Sequence, residues 1–342
     1  MLLELKKPTQ NATVSLQTAT QKTFIAQEEQ RAKMDGNLTF RWYALEKEGT
    51  DRTIPRPVEF AWEDREESEN RQGYYFLLVS ETEDMVAPQV YITGDCHFPV
   101  YNLKVDTVYY WCVQKNGKRS EISVFRTEYT LPRNLKIDNL SNFRDMGGYK
   151  VQNGRIRQGL VYRGGEFEQH IHLSPEGVKE LKRLGIRTEL DMRGEVKDTV
   201  DFTTAELFGI RRVYVPCIPY EGVFDSPKRK MCKDFYKVFA SVKNYPIYFH
   251  CWGGADRTGT FAFILGAFLG MSMEDLIYEY EYTSLSVWGT RSRNYEKFQA
   301  FLRQFMELSG ATLQEKGRTF LQEYAGLTDK QLRVIYDTLV EK

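Results

Sequence analysis

Cys251 and Arg257 are separated by five residues in the run His250-Cys251-Trp252-Gly253-Gly254-Ala255-Asp256-Arg257-Thr258-Gly259. Their types suit the handling of an anion. A free thiol is mostly protonated near neutral pH. At a helix N-terminus beside a cation its pKa falls by units, which would make Cys251 a thiolate nucleophile. Arg257 offers a planar fork that grips two phosphoryl oxygens and follows their charge into the transition state. Gly253 and Gly254 let the backbone approach those oxygens, with Trp252 and Ala255 completing the loop. The Thr258 hydroxyl can hydrogen-bond the sulfur and make it a better leaving group. A nucleotide-binding phosphate loop also needs a Lys before its Ser/Thr. None is present, which disfavours a nucleoside triphosphatase.

These side chains need a strand and a helix to hold them. Tyr245 to His250 reads as a short buried strand, and Thr258 to Leu269 is apolar and long enough for a buried helix. The Gly-rich turn between them points successive backbone N–H groups inward. The helix adds its positive N-terminal end, so the concavity suits a bound dianion.

The pattern His250-Cys251-x5-Arg257-Thr258-Gly259 resembles the signature of cysteine-dependent phosphatases, the protein tyrosine and dual-specificity group. Three upstream stretches narrow the match. They are Asn142-Phe143-Arg144-Asp145-Met146-Gly147-Gly148-Tyr149, Val161-Tyr162-Arg163-Gly164-Gly165 and Glu189-Leu190-Asp191-Met192-Arg193-Gly194-Glu195. In that order they resemble the bacterial tyrosine-phosphatase family typified by secreted mycobacterial enzymes. The resemblance implies a cysteine-phosphatase fold, a central sheet flanked by helices. It also implies two-step phosphomonoester hydrolysis through a phosphocysteine at Cys251. Where the family often has Lys in the loop this chain has Ala255, which weakens the inference toward polyanionic inositol substrates. Phosphotyrosine is the preferred substrate class, with phosphoserine/threonine, phosphoinositides or other inositol phosphates behind it. A phosphate-recognising adaptor without turnover is the competing class.

The leaving group needs a proton donor. The resemblance places an acid in the Cys loop, which maps onto Asp256. The upstream loop Val215 to Ser226 offers Asp225 and Glu221 as alternatives. Arg163 and Arg193 follow strand-like runs. They either reach the anion pocket or, as is preferred, act as buried struts pairing with Asp145, Asp191 or Glu195. His250 supports the loop from the preceding position.

At 342 residues, two domains are the natural expectation: a β-sandwich over 1–130 and a catalytic α/β domain over 131–342. Lys plus Arg equals Asp plus Glu at 47 each, so no global field attracts nucleic acid or an anionic membrane. No apolar run reaches transmembrane length, and Met1 to Asn11 lacks the hydrophobic core of a signal peptide. A cytoplasmic location is expected, with secretion the alternative if a leader has been removed. The five cysteines form no Cys-x-x-Cys pair, and the histidines are scattered. No metal and no cofactor are expected. The phosphorylated protein or small phosphomonoester substrate is the expected partner, and the residues leave the oligomeric state open.

In the first third, strands are expected at Val58–Trp62, Gly73–Ser80, Val90–Thr93, Val108–Gln114 and Ile122–Thr127. Asn116-Gly117 marks a hairpin turn. Leu103 to Phe125 resembles the last strands of fibronectin type III-like modules. Trp42, Trp62 and Trp111 read as core residues, Glu63 to Arg71 as a solvated charge run, and Thr23 to Met34 as helix or loop. Downstream, Asn142 to Tyr149 reads as a tight turn. Ser174 caps a helix that opens at Pro175 and stops at Leu184-Gly185. Ile186 to Met192 is a strand, Met273 to Leu308 is largely helical, and Thr328 caps one of two final helices.

Overall fold

Short β-branched and aromatic runs build the sheet that carries the Cys loop. Val161–Gly164, Ile247–His250, Thr188–Asp191 and Arg211–Tyr214 lie side by side and parallel. Arg144–Asp145 and Arg133–Asn134 add antiparallel strands beyond Val161–Gly164. All four residues of the Val161, Thr188 and Ile247 strands are buried, as expected of strands covered on both faces. Gly164, His250 and Asp191 sit in register at the carboxyl end. Ile247–His250 is inserted between two strands that precede it in sequence, which creates the switch point where open α/β sheets bind ligands.

The sheet faces are covered by different helices. Tyr162 and Tyr248 share a buried cluster with Leu181 of helix Pro175–Arg183. Phe249, on the opposite face, packs against Phe235 of helix Arg229–Phe239 at 5.7 Å between ring centroids. Helix Asp256–Leu269 is buried from Thr258 through Leu269. A helix that is apolar all round belongs inside a domain, so the element following the loop is clamped in place by packing.

This computed structural model describes residues 3–34, 50–65, 73–168, 172–194 and 205–342. They fall into two compact units. One joins Met1–Thr18 to Pro55–Leu131, and the other joins Ala19–Ile54 to Pro132–Lys342. The expectation placed all of 1–130 in the first module. Ala19–Ile54 instead packs with the second unit. Phe24 is fully buried there, edge-on to Tyr282 at 5.8 Å. Thr23 to Met34 is chiefly helical, in helices Ala19–Ala26 and Glu28–Ala32.

The first unit's strands form two sheets. Leu3–Lys7, Val58–Asp64 and His97–Val100 form one. Ala12–Val14, Ser123–Thr127, Val108–Lys115, Tyr75–Ser80 and Gln89–Thr93 form the other. Alternate residues of both, among them Phe60, Trp62, Leu77, Val79, Trp111 and Phe125, make a single core. Asn116 and Gly117, at φ 49° and 75°, turn the chain back into Lys118–Arg119. Trp42, His170, Glu195 and residues 66–71 of the charge run lie outside the described residues.

One expected turn is also a strand. Arg144–Asp145 sits inside the sheet, two residues being too few to show alternation. Ser174 accepts a hydrogen bond from the Gly177 N–H at 3.0 Å, and Thr328 caps helix Asp329–Leu339. The stretch 273–308 is largely helical as expected, in helices Met273–Glu281 and Glu296–Glu307 with a short 3₁₀ helix at Tyr282–Leu285 before the chain between them. No helix among the described residues is long and apolar enough to cross a membrane.

Candidate active site

The loop between strand Ile247–His250 and helix Asp256–Leu269 is held by its carbonyls. His250 Nδ1 lies 2.9 Å from the Cys251 oxygen. The Glu166 N–H donates to Trp252 O at 2.8 Å. Asn142 Nδ2 donates to Gly253 O at 2.8 Å and Gly254 O at 3.2 Å. Arg163 Nη2 donates to Gly254 O at 2.5 Å, and the Gly259 N–H to Ala255 O at 2.8 Å. Five consecutive carbonyls are therefore tied to the scaffold. A trans peptide sets the next residue's N–H opposite its carbonyl, so the amides of 252–256 face away from these anchors. Among the described residues no acceptor takes the amides of Gly253, Gly254, Ala255 or Asp256. Gly254 has φ 64°, and a Cβ there would stand 2.2 Å from Gly164 O. Only glycine fits.

Cys251 is buried at this loop's entrance to the sheet. Burial pushes its thiol up, but the Arg257 guanidinium and the hydroxyl and backbone N–H of Thr258 outweigh it and hold the pKa below its ordinary value. Cys217 and Cys232 behave oppositely. Burial drives both up, Cys232 to about 12. Arg257 makes no ion pair among the described residues; its guanidinium lies 5.8 Å from the centre of the Trp252 ring. A buried thiol whose pKa is held down, beside a guanidinium without an ion pair among the described residues, has the chemistry of a nucleophile toward an anionic group.

Arg163 and Arg193 are struts. Arg163 pairs with Glu279, while Asp145 and Asp191 pair with other arginines. Glu279 also takes Arg144 Nε at 2.6 Å. Two buried guanidiniums thus share one buried carboxylate, and one of them reaches the loop. Arg193 grips Asp191 through Nε and Nη2 at 2.9 and 2.8 Å and reaches Glu166 at 2.8 Å. Asp145 belongs to Arg133, at 2.6 Å. His250 Nε2 meets Glu189 at 2.8 Å. Burial lowers the imidazole's pKa, but that carboxylate and the charge of Asp191 raise it overall. Glu189, Asp191 and His250 each bring one ligand atom within 4.8 Å of the others. Arg193, Arg212 and the histidine itself already compensate those two carboxylates.

The three expected acids occupy different settings. Asp256, in the first turn of the loop helix, receives Arg291 Nε and Nη2 and the Tyr220 hydroxyl. Burial raises its pKa, but Arg291 and Tyr220 more than reverse this and hold it below the usual carboxylate value. Asp225 is exposed. Glu221 is half-buried, and its Oε2 has no hydrogen-bond partner among the described residues. The loop carrying both is pinned by Tyr220, at φ 57°, whose N–H donates to Thr260 Oγ1 at 3.0 Å.

Sequence reasoning named no role for Asn142, Glu279, Arg291 or Tyr220. Asn142 stood in a quoted motif; the other three carried no local signal. Trp288 adds a wall, since a Cβ on Gly253 would meet its ring at 2.7 Å.

A family model described as "Tyrosine phosphatase family" matches residues 135–341, more than half of the chain. The chain belongs to the tyrosine phosphatase family. A relative of this family member from Cupriavidus necator, named as a candidate tyrosine-protein phosphatase, is 28% identical over 173 residues. That alignment covers 43% of this chain and 61% of the relative, so the chain spans less than two thirds of it. Among solved structures, the core catalytic domain of the PP-IP phosphatase Siw14 of S. cerevisiae in complex with citrate aligns at 17% identity and a TM-score of 0.30. That alignment covers 61% of this chain and 94% of that one. A second structure of the Siw14 catalytic core aligns at 17% identity and a TM-score of 0.31, covering 52% and 91%.

Proposed function

We propose that this phosphatase-family protein is a cysteine-dependent phosphomonoester hydrolase whose preferred substrates are phosphotyrosyl side chains. The observation that carries the reading is the tethering of the carbonyls of 251–255, which leaves loop amides and the Arg257 fork for a phosphoryl group above Cys251. The Cys251 thiolate attacks phosphorus while the bond to the leaving oxygen breaks, and that oxygen takes a proton from a general acid. Water then attacks the phosphocysteine, the P–S bond breaks, and the Thr258 hydroxyl stabilises the departing thiolate.

Asp256 remains the preferred acid, as the carboxyl closest in sequence to Arg257. Its pairing with Arg291 makes it a donor suited to acidic pH. Trp288 and Trp252 beside the loop supply aromatic surface for a flat ring, which supports the tyrosyl preference. The N-terminal two-sheet unit is read as a fibronectin type III-like module.

Turnover of an aryl phosphate with a burst of one leaving group per site, lost in Cys251→Ser, tests the enzyme reading. A wild-type protein that binds phosphate without turnover would establish the adaptor instead. Second-order rate constants for phosphotyrosyl peptides, phosphoseryl peptides, inositol lipids and phytate test the substrate class.

A further inference from the structure

The segment Thr50–Ile54 approaches the Cys loop from a part of the chain far from the motifs. Thr53 is buried, and both its N–H and its hydroxyl donate to Asp51 Oδ1, at 2.8 and 2.6 Å. The Thr53 oxygen in turn accepts the Asn142 N–H at 3.2 Å. Asn142 is fully buried at φ 64°, in the left-handed region, and its buried N–H needs a partner. Its side-chain amide grips the carbonyls of Gly253 and Gly254. One chain of hydrogen bonds therefore runs Asp51, Thr53, Asn142, phosphate loop.

The segment is itself anchored on two sides. Gln21 Nε2, fully buried, donates to the Arg52 and Ile54 carbonyls at 2.8 and 2.9 Å. The Arg52 N–H donates to Leu285 O at 2.8 Å. Further back, the Met34 carbonyl accepts from Ser292 Oγ at 3.0 Å and Asn294 Nδ2 at 2.9 Å, flanking the stretch that supplies Arg291.

We propose that Thr53 is a positioning residue for the phosphate loop, acting through Asn142, and that the 50–54 segment is a strap belonging to the anion site. The inference rests on the reading of that loop as a phosphate site. Without the hydroxyl, the Asn142 N–H is buried and unpaired, and the side chain that binds two loop carbonyls is left with Arg144 and Thr283 as its remaining supports.

The test uses the full chain and needs no turnover. The rate of Cys251 alkylation is measured against pH and against inorganic phosphate. A buried donor left without its partner costs enough to shift an equilibrium by about tenfold. Thr53→Val should therefore raise the phosphate concentration that half-protects Cys251 by about tenfold and move the alkylation midpoint to higher pH. Thr53→Ser, which keeps the hydroxyl, should return both to wild-type values. A Thr53→Val protein that melts earlier yet keeps wild-type protection and midpoint would overturn the proposal. So would equal losses in the Val and Ser variants. Aryl phosphate turnover by the same wild-type sample reports on the phosphatase reading separately.

Discussion

Asp256 accepts Arg291 Nε on one carboxylate oxygen and Arg291 Nη2 on the other, each at 2.8 Å. The carboxyl preferred as proton donor is thus held as an anion by a residue 35 positions downstream. A general acid works only when protonated. With the Asp256 pKa held down, turnover of substrates with poor leaving groups should fall as pH rises from the acidic side. Arg291→Gln should move that descending limb to higher pH, and Asp256→Asn should remove it. Activated aryl phosphates should respond weakly to either change. A limb that follows Glu221→Gln or Asp225→Asn instead would transfer the role to that residue.

The same pair predicts how stability responds to acid. The folded pKa of Asp256 is depressed, so its contribution is present above the unfolded value and is lost as pH falls through the folded one. Melting midpoints of wild type and Asp256→Asn should converge as pH drops below about 4.

Thr258 and Arg257 hold the Cys251 pKa down. The midpoint of its alkylation rate should lie below the ordinary thiol value of about 8.5. Thr258→Val should raise it. Arg257→Lys keeps the charge but loses the fork, and should lower kcat by about 10²–10³-fold, as loss of a transition-state donor does. Steady-state kinetics on one aryl phosphate across the series checks this.

Glu279 lies between Arg144 and Arg163, all three buried. Removing it leaves two uncompensated guanidiniums. Glu279→Ala should therefore destabilise the protein by about 3–5 kcal/mol, read from denaturant midpoints at constant slope. Because Arg163 also binds Gly254 O, phosphate protection of Cys251 should weaken in the same variant.

Gly254→Ala would force a Cβ against the Gly164 backbone and strain a left-handed residue. A displacement of about 1 Å in a catalytic loop is enough to cost about 10² in rate. The clash falls at the carboxyl end of one strand, at Gly164, so the variant should stay folded but lose activity on that scale. Circular dichroism beside kinetics separates the two effects.

What the sequence determined by itself is what neighbouring residues decide. The strand before Cys251, the buried helix after it, the Ser174 and Thr328 caps and the Asn116-Gly117 turn were legible because each depends on side chains within one turn or one hairpin. The Cys loop stood out in the sequence for the same reason, since the proposed nucleophile, fork and glycines are contiguous. Tertiary structure alone decided how that loop is held. Asn142 meets Gly253 across 111 residues, Arg163 meets Glu279 across 116, and Thr53 meets Asn142 across 89. Ala19–Ile54, weakly patterned and placed among strands in the sequence, joined the other unit for the same reason. A hydrogen bond between distant segments is set by where folding brings two backbones together, and it leaves no periodicity along the chain.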